Sequence, residues 1–193
     1  TSDENNRISD VVHYSRRIHG IKEISTNIIV ANRAYLQNAV SDAIAHGYTS
    51  FYSDILDRNM LRANYFVYHY SGFYAQINSL AGYYACNMKL LEKGMGDELF
   101  AQPNRPILTK VRNFAPTRYT EDAKVKNSLI ADGCLIEGTV ENSIIFRGVH
   151  VGKGAIVKNC VLFQDTYVCE GASLNCVIAD KNVMIKDNRR LSG

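Results

Sequence analysis

Apolar residues follow two different rhythms along this chain. Up to about residue 101, short continuous apolar runs alternate with helical stripes. Residues 24–31, "ISTNIIVA", read as a buried strand. "NRAYLQNAVSDAIAHG" then reads as a helix, with Asn32 as N-cap, Leu36, Val40, Ala43 and Ile44 as its stripe, and Gly47 as its stop. Residues 50–61 predict a short helix using Phe51, Ile55 and Leu56, and the aromatic run "NYFVYHY" at 64–70 a strand. Asn78 or Ser79 caps a further helix, "LAGYYACNMKLLEKG", with Leu80, Tyr84, Met88 and Leu91 on one face and Gly94 at its end. Strands alternating with helices predict an α/β piece over residues 1–101, with too few elements for a complete doubly wound sheet. All three prolines fall in residues 102–119, and 102–122 reads as an extended linker with Ile107 and Phe114 packing on neighbours.

From residue 123 the rhythm changes. "VKNSLI" at 125 returns as "VENSII" at 140 and "VKNCVL" at 157, and "LNCVI" at 174 reads as the same unit one residue shorter. "IEGT" at 136, "VGKG" at 151, "VCEG" at 168 and "IKDN" at 185 keep step with it. An apolar residue about every six positions, followed by small or polar ones, is the hexapeptide pattern of a parallel β-helix, here expected to be left-handed over 123–193. Ile136, Val151, Val168 and Ile185 should stack in one interior column, and Val125, Val140, Val157 and Leu174 in another. Asn127, Asn142, Asn159 and Asn175 read as a ladder of corner hydrogen bonds.

Charge excludes some functions. Residues 1–122 carry 13 Lys/Arg against 12 Asp/Glu, and residues 123–193 carry 9 against 7. Neither half is basic enough to point to nucleic acid. No apolar run approaches the roughly 18 residues of a spanning helix, so no membrane is expected. The five cysteines sit among apolar neighbours without a C-x-x-C pair, which reads as a reducing, cytoplasmic setting. The five histidines show no metal-ligand spacing. His150, the one histidine in the repeat, reads as a solvated corner residue with no positioned partner.

An α/β piece, a proline-marked linker and a hexapeptide β-helix, in that order, resemble the C-terminal half of the glucose-1-phosphate adenylyltransferase (ADP-glucose pyrophosphorylase) family. "NIIVANRAYLQNAV" from Asn27 is similar to the family's GIYVFNTDYLYELL, and "GFYAQINSLAGYYACNMKLL" from Gly72 to its GYWRDVGTIEAYYEANMDLL. "RPILT", "APTRY" and "NSLIADGCLIEGTVENSIIF" resemble its linker and first coils. The resemblance implies that the α/β piece is the back of a Rossmann-like nucleotidyltransferase domain, and that this chain is part of a longer protein.

Where this chain departs from the family's pattern, site chemistry is lost. The family's catalytic metal-ligating Asp falls at Gln76, and a neutral amide is a poor ligand for a hard cation such as magnesium. The Gly two positions on is Asn78. The sugar-binding SMG turn is Ser25-Thr26-Asn27, which keeps only the Ser as a sugar contact. The DFG before the short helix is Ser50-Phe51-Tyr52. No Glu-Lys-Pro triplet occurs near Val12 to Tyr14, where a sugar-phosphate Lys is implied. The resemblance is therefore to the non-catalytic GlgD-type subunit. It implies no catalytic residue, metal or cofactor in this chain, and a hetero-oligomer, a tetramer, with a catalytic subunit of the same family. The fragment alone could pair with itself. Two other readings stay open: an active pyrophosphorylase with shifted ligands such as Asp54 or Asp57, and a hexapeptide acyltransferase that needs a His. Arg105, Lys110, Arg112 and Arg118 read as solvated charge or as a site for an anionic effector.

The repeat makes a direct prediction. Val151→Asp buries an unpaired carboxylate in the first column and should destabilise this part of the chain by several kcal/mol. Chemical denaturation of the variant checks it, and a near-native midpoint would sink the register.

Overall fold

A computed structural model describes residues 2–11, 23–60, 62–110 and 112–193. The chain divides into two compact units, residues 1–74 and 75–193.

In the second unit the hexapeptide rhythm winds into a three-faced parallel β-solenoid. One face stacks β1 (Arg118–Tyr119), β4 (Leu135–Ile136), β7 (His150–Val151), β10 (Tyr167–Val168) and β13 (Met184–Ile185). The second stacks β2 (Lys124–Lys126), β5 (Thr139–Glu141), β8 (Ile156–Lys158), β11 (Ser173–Asn175) and β14 (Arg190–Ser192). The third stacks β3 (Leu129–Ile130), β6 (Ile144–Ile145), β9 (Val161–Leu162) and β12 (Ile178–Ala179). Each coil hands its backbone hydrogen bonds to the next, as when Leu135 N–H donates to Val149 O at 3.0 Å and Glu137 N–H to Val151 O at 2.8 Å.

The expected first column is in register and buried: Ile136, Val151, Val168 and Ile185 pair coil to coil. Val140, Val157 and Leu174 form the second, fully buried. Val125 keeps its register but is 41% exposed, because an end coil has a neighbour on one side only. The third face adds a column of Ile130, Ile145, Leu162 and Ala179. Tyr119 stacks on Ile136, so the solenoid begins at Arg118, inside the stretch 102–122 that reads as linker.

The coil of Leu174 corrects the repeat. Leu174 pairs with Val157 and Asn175 with Lys158, so "LNCVIA" is a full unit and not a shortened one. Cys176, not Asn175, takes the corner position of Asn159, with φ +57° against +52° for Asn159. The true shortening lies between Ile136 and Val140, four residues apart where Val151 and Val157 are six. Gly138 makes this corner possible: a Cβ there would lie 2.4 Å from Ala155 O.

A helix closes over the third face. Alternate strand residues point to opposite sides, and Ile144 and Val161 are buried although they stand outside the interior cluster. On this side α2 (Leu80–Lys89) is pinned by Tyr84, whose hydroxyl donates to Asn159 O at 2.7 Å, and by Tyr83, whose ring stacks 6.4 Å from Phe163. Ser79, not Asn78, caps this helix by accepting from Gly82 N–H at 3.0 Å. The helix stops at Lys89, and Gly94, expected as its end, instead uses φ +85° to open a short helix, α3 (Met95–Phe100).

The first unit holds α1 (Arg33–His46), capped by Asn32 and stopped by Gly47 at φ +68°, as its sequence predicts. A π-helical segment, Phe51–Asp57, follows. Among the described residues Ile55 is the one buried apolar side chain of this unit. Among the described residues the two expected strands do not form a sheet. Residues 24–31 join no ladder, and residues 64–70 make a single isolated bridge, Arg7 to Phe66. Their apolar groups are open, with Val30 97% and Tyr68 89% exposed. A buried strand needs partners along its edges and a face to cover it, and the described residues supply neither. No helix among the described residues is long and apolar enough to cross a membrane.

Two predictions follow from the solenoid's corners and core. The left-handed region costs an ordinary L-residue roughly 1–2 kcal/mol and Asn less, so Cys176→Asn should raise stability by about 0.5–1 kcal/mol in chemical denaturation. A lowered midpoint would refute corner strain at Cys176. Burial pushes the Cys160 thiol up to about 11 and, together with the neighbouring Cys176 thiol, the Tyr84 phenol up to about 12. Both groups are held neutral by the fold, while the unfolded chain loses these protons nearer pH 9 and 10. Their stabilisation is therefore complete below about pH 9 and falls as pH rises toward 12. Denaturation midpoints between pH 8 and pH 11 should drop less steeply for Tyr84→Phe than for the parent chain.

Candidate functional site

The residues that mark the sugar-binding turn by resemblance meet in the first unit. Asn27 sits at φ +61°, a conformation that Gly adopts freely and Asn tolerates best among the other residues. Its N–H donates to Ser25 Oγ at 3.2 Å, and Tyr52 Oη donates to Asn27 Oδ1 at 2.7 Å and lies 3.3 Å from Ser25 Oγ. Tyr74 Oη adds a bond to Ser25 O at 3.4 Å. Ser25, Asn27 and Tyr52 thus satisfy one another, and the phenol of Tyr52 occupies the polar side of the turn. Tyr74 was not legible as a partner, because nothing in the aromatic run separates it from its neighbours.

Ser50 has a structural task. Its Oγ accepts from Ser53 N–H at 3.3 Å and caps the π-helical segment. Asp54 Oδ2 accepts from Ser50 N–H at 3.0 Å and Thr49 N–H at 3.1 Å. These bonds, that to Ser50 first, hold the Asp54 carboxyl below the usual carboxylate range. Asp57 is exposed on the same segment. Gln76 and Asn78 belong to the second unit, in the exposed extended stretch before α2. Val12 to Tyr14 lie outside the described residues. The residues at hand do not fit a magnesium ion: position 76 offers a neutral amide, and the Asp54 carboxylate oxygen that makes contacts is spent on two backbone N–H groups. Among the described residues no three His, Cys, Asp or Glu side chains come together as a metal site.

The four linker cations do not act alike. Arg105 donates to Glu98 O at 3.4 Å, at the end of α3. Lys110 is exposed, and Arg118 is part of β1. Arg112 lines a recess of about 160 Å³ with Phe114, Arg147, Gln164, Asp165, Lys181 and Asn182. Within it Gln164 Oε1 is buried without a hydrogen-bond partner, and Arg147 Nε donates to Asp132 Oδ1 at 3.0 Å. Arg147, Gln164 and Lys181 occupy one corner position in three successive coils. That signal was present in the repeat, since each lies 17 residues after the last.

His150 departs from its reading as a corner residue without a partner. Its Nε2 lies 2.6 Å from Glu137 Oε2, and its ring meets Tyr167 edge-on at 4.2 Å. The pairing follows from register: Leu135 stands beside His150, which brings Glu137 within reach one coil away.

Residues 112–192 match a family model described as GlmU-like, C-terminal hexapeptide. The glycogen biosynthesis protein GlgD of Bacillus subtilis is 42% identical over 118 residues, 61% of this chain and 34% of that protein. The GlgD of Geobacillus stearothermophilus is 52% identical over 71 residues, 37% of this chain and 20% of that protein. A glucose-1-phosphate adenylyltransferase of Desulfitobacterium hafniense is 30% identical over 124 residues, 64% of this chain and 31% of that protein. The chain therefore spans about a third or less of these relatives. With a hexapeptide solenoid at its end and these relatives along most of its length, the chain matches a C-terminal, GlgD-like portion of the glucose-1-phosphate adenylyltransferase family.

Proposed function

We propose that this chain belongs to a non-catalytic, regulatory subunit of ADP-glucose synthesis for glycogen. The observation that carries the reading is the closed turn of the first unit, where Tyr52 hydrogen-bonds Asn27 and approaches Ser25. A sugar hydroxyl would compete there with bonds already made, and breaking a satisfied pair has a cost of about 1 kcal/mol per bond. Gln76 at the implied metal position supports the same reading, and so does the GlgD name borne by relatives. In this reading the first unit is the back of a Rossmann-like nucleotidyltransferase domain, and the solenoid coils left-handedly. The subunit is cytoplasmic and works in a hetero-tetramer by shifting a catalytic partner between two states. Such coupling needs only about 1–3 kcal/mol of differential contact. Arg105, Lys110, Arg112 and Arg118 stand as effector candidates, and the recess beside Arg112 favours Arg112 joined by Arg147 and Lys181.

A second reading draws on the short contact between His150 and Glu137, since a carboxylate-paired His is the base of many acyl transfers. Against a pyrophosphorylase with shifted ligands stands Asp54, whose contacting oxygen already serves two backbone donors.

The test uses the full-length protein that carries this sequence. Alone, with ATP, glucose 1-phosphate and magnesium, it should be nearly inactive, and Gln76→Asp should not restore turnover. Mixed with its catalytic relative, it should co-purify and raise kcat or lower KM. Robust magnesium-dependent turnover alone would overturn the reading, as would failure to associate at micromolar concentration. Acyl transfer abolished by His150→Gln would install the second reading in its place. A homodimer of the fragment counts for neither.

A further inference from the structure

The corner of the solenoid beneath α2 carries more chemistry than its turn requires. Asn127, Asn142, Asn159, Cys176 and Gly193 take the same corner position in successive coils. Cys176 and Gly193 hold that position without an amide, so the backbone does not demand one. Asn127, Asn142 and Asn159, the three that do carry amides, line a cavity of about 250 Å³ whose other wall is α2 and the turn after it.

The amide ladder is bonded in pairs and broken in the middle. Asn127 Nδ2 donates to Asn142 Oδ1 at 2.9 Å, and Asn159 Nδ2 donates to Asn175 Oδ1 at 2.8 Å. Among the described residues no hydrogen bond joins Asn142 to Asn159. The break leaves a donor, Asn142 Nδ2, and an acceptor, Asn159 Oδ1, on the cavity wall. A hydroxyl group, which donates and accepts at once, matches that pair.

The opposite wall fits the same kind of ligand. Tyr84 is fixed by its bond to Asn159 O, and Met88 and Leu91 add apolar surface suited to the C–H faces of a sugar ring. Glu92 supplies a carboxylate that accepts from hydroxyls. Among the described residues no Lys, Arg or His lines the cavity, so a phosphate would meet Glu92 without a counter-charge from them. We propose that this cavity binds a neutral saccharide of one or two rings, held by the broken amide ladder and the α2 wall. At about 250 Å³ the cavity lies just below the roughly 300–1,000 Å³ of small-molecule sites, which suits so small a body. This assignment does not rest on the regulatory reading and holds whether or not the parent protein is catalytic.

The experiment titrates the 193-residue chain with maltose and, separately, with glucose 1-phosphate, followed by calorimetry or saturation-transfer NMR. Maltose should bind saturably in the millimolar range, and glucose 1-phosphate at least about fivefold more weakly. Asn142→Gly keeps the corner, since φ +46° suits glycine, and removes the free donor. Met88→Trp fills the cavity without touching the ladder. Each should weaken maltose about fivefold or more while circular dichroism stays that of the parent. Absence of saturable maltose binding would overturn the proposal. So would tighter binding of glucose 1-phosphate, or maltose affinity unchanged in Met88→Trp.

Discussion

Stacking of one coil on the next is the constraint on which the second unit depends. A single turn of this solenoid has three short strands and a handful of inward side chains, too little to bury a core or to satisfy its own backbone. Parallel pairing to the adjacent coil solves both problems at once. Ile136 lies on Val151 and Val151 on Val168, while the carbonyl of one coil accepts the N–H of its neighbour. Every other feature of the solenoid answers to that pairing. The chain must turn three times per coil, so the corners fall to Asn, Asp and Gly in the left-handed region, and to Cys176 where the rule is bent. Where a corner is two residues short, Gly138 is required because backbone from the next coil occupies the place of its side chain.

The outside of the solenoid is built on the same register. Columns that align inward also align outward, so Ile144 and Val161 make an apolar strip that α2 covers, and Phe146 and Phe163 meet at 4.8 Å beside it. The same alignment sets Asn127, Asn142 and Asn159 at one corner, and Arg147, Gln164 and Lys181 at another. Polar ladders on a solenoid thus come from repetition. Their breaks, such as that between Asn142 and Asn159, are where repetition leaves bonding capacity over.

The first unit shows what happens without that support. Its helix is well capped, yet its aliphatic runs have no sheet to join among the described residues, and Ile55 is its one buried apolar side chain. The most ordered chemistry in it is the Ser25–Asn27–Tyr52–Tyr74 network, in which the chain's own side chains take up the hydrogen bonds of a turn.

The sequence by itself determined the solenoid, the span and caps of α1, and the first interior column; the apolar stripe of α1 stays uncovered, with Ile44 77% exposed. These are properties of period and of residues such as Asn32 and Gly47 whose backbone preferences are local. Set against the family's pattern, it also marked positions 27, 50, 52, 76 and 78 as altered, with Ser25 kept, because residue type shows the loss of an acid or a glycine. Only the tertiary structure decided the rest. Whether 24–31 and 64–70 form strands depends on partners, which no local pattern specifies. The alignment of Cys176 with Asn159 was hidden because "LNC" mimics "KNC" one residue out of step, and only the hydrogen bonds of adjacent coils distinguish the two. The pairing of His150 with Glu137, the use of Tyr52 to close the turn at Ser25, and the gap in the asparagine ladder all join residues 13 or more apart. Such contacts arise when the chain is wound and packed, and no spacing along the sequence encodes them before that.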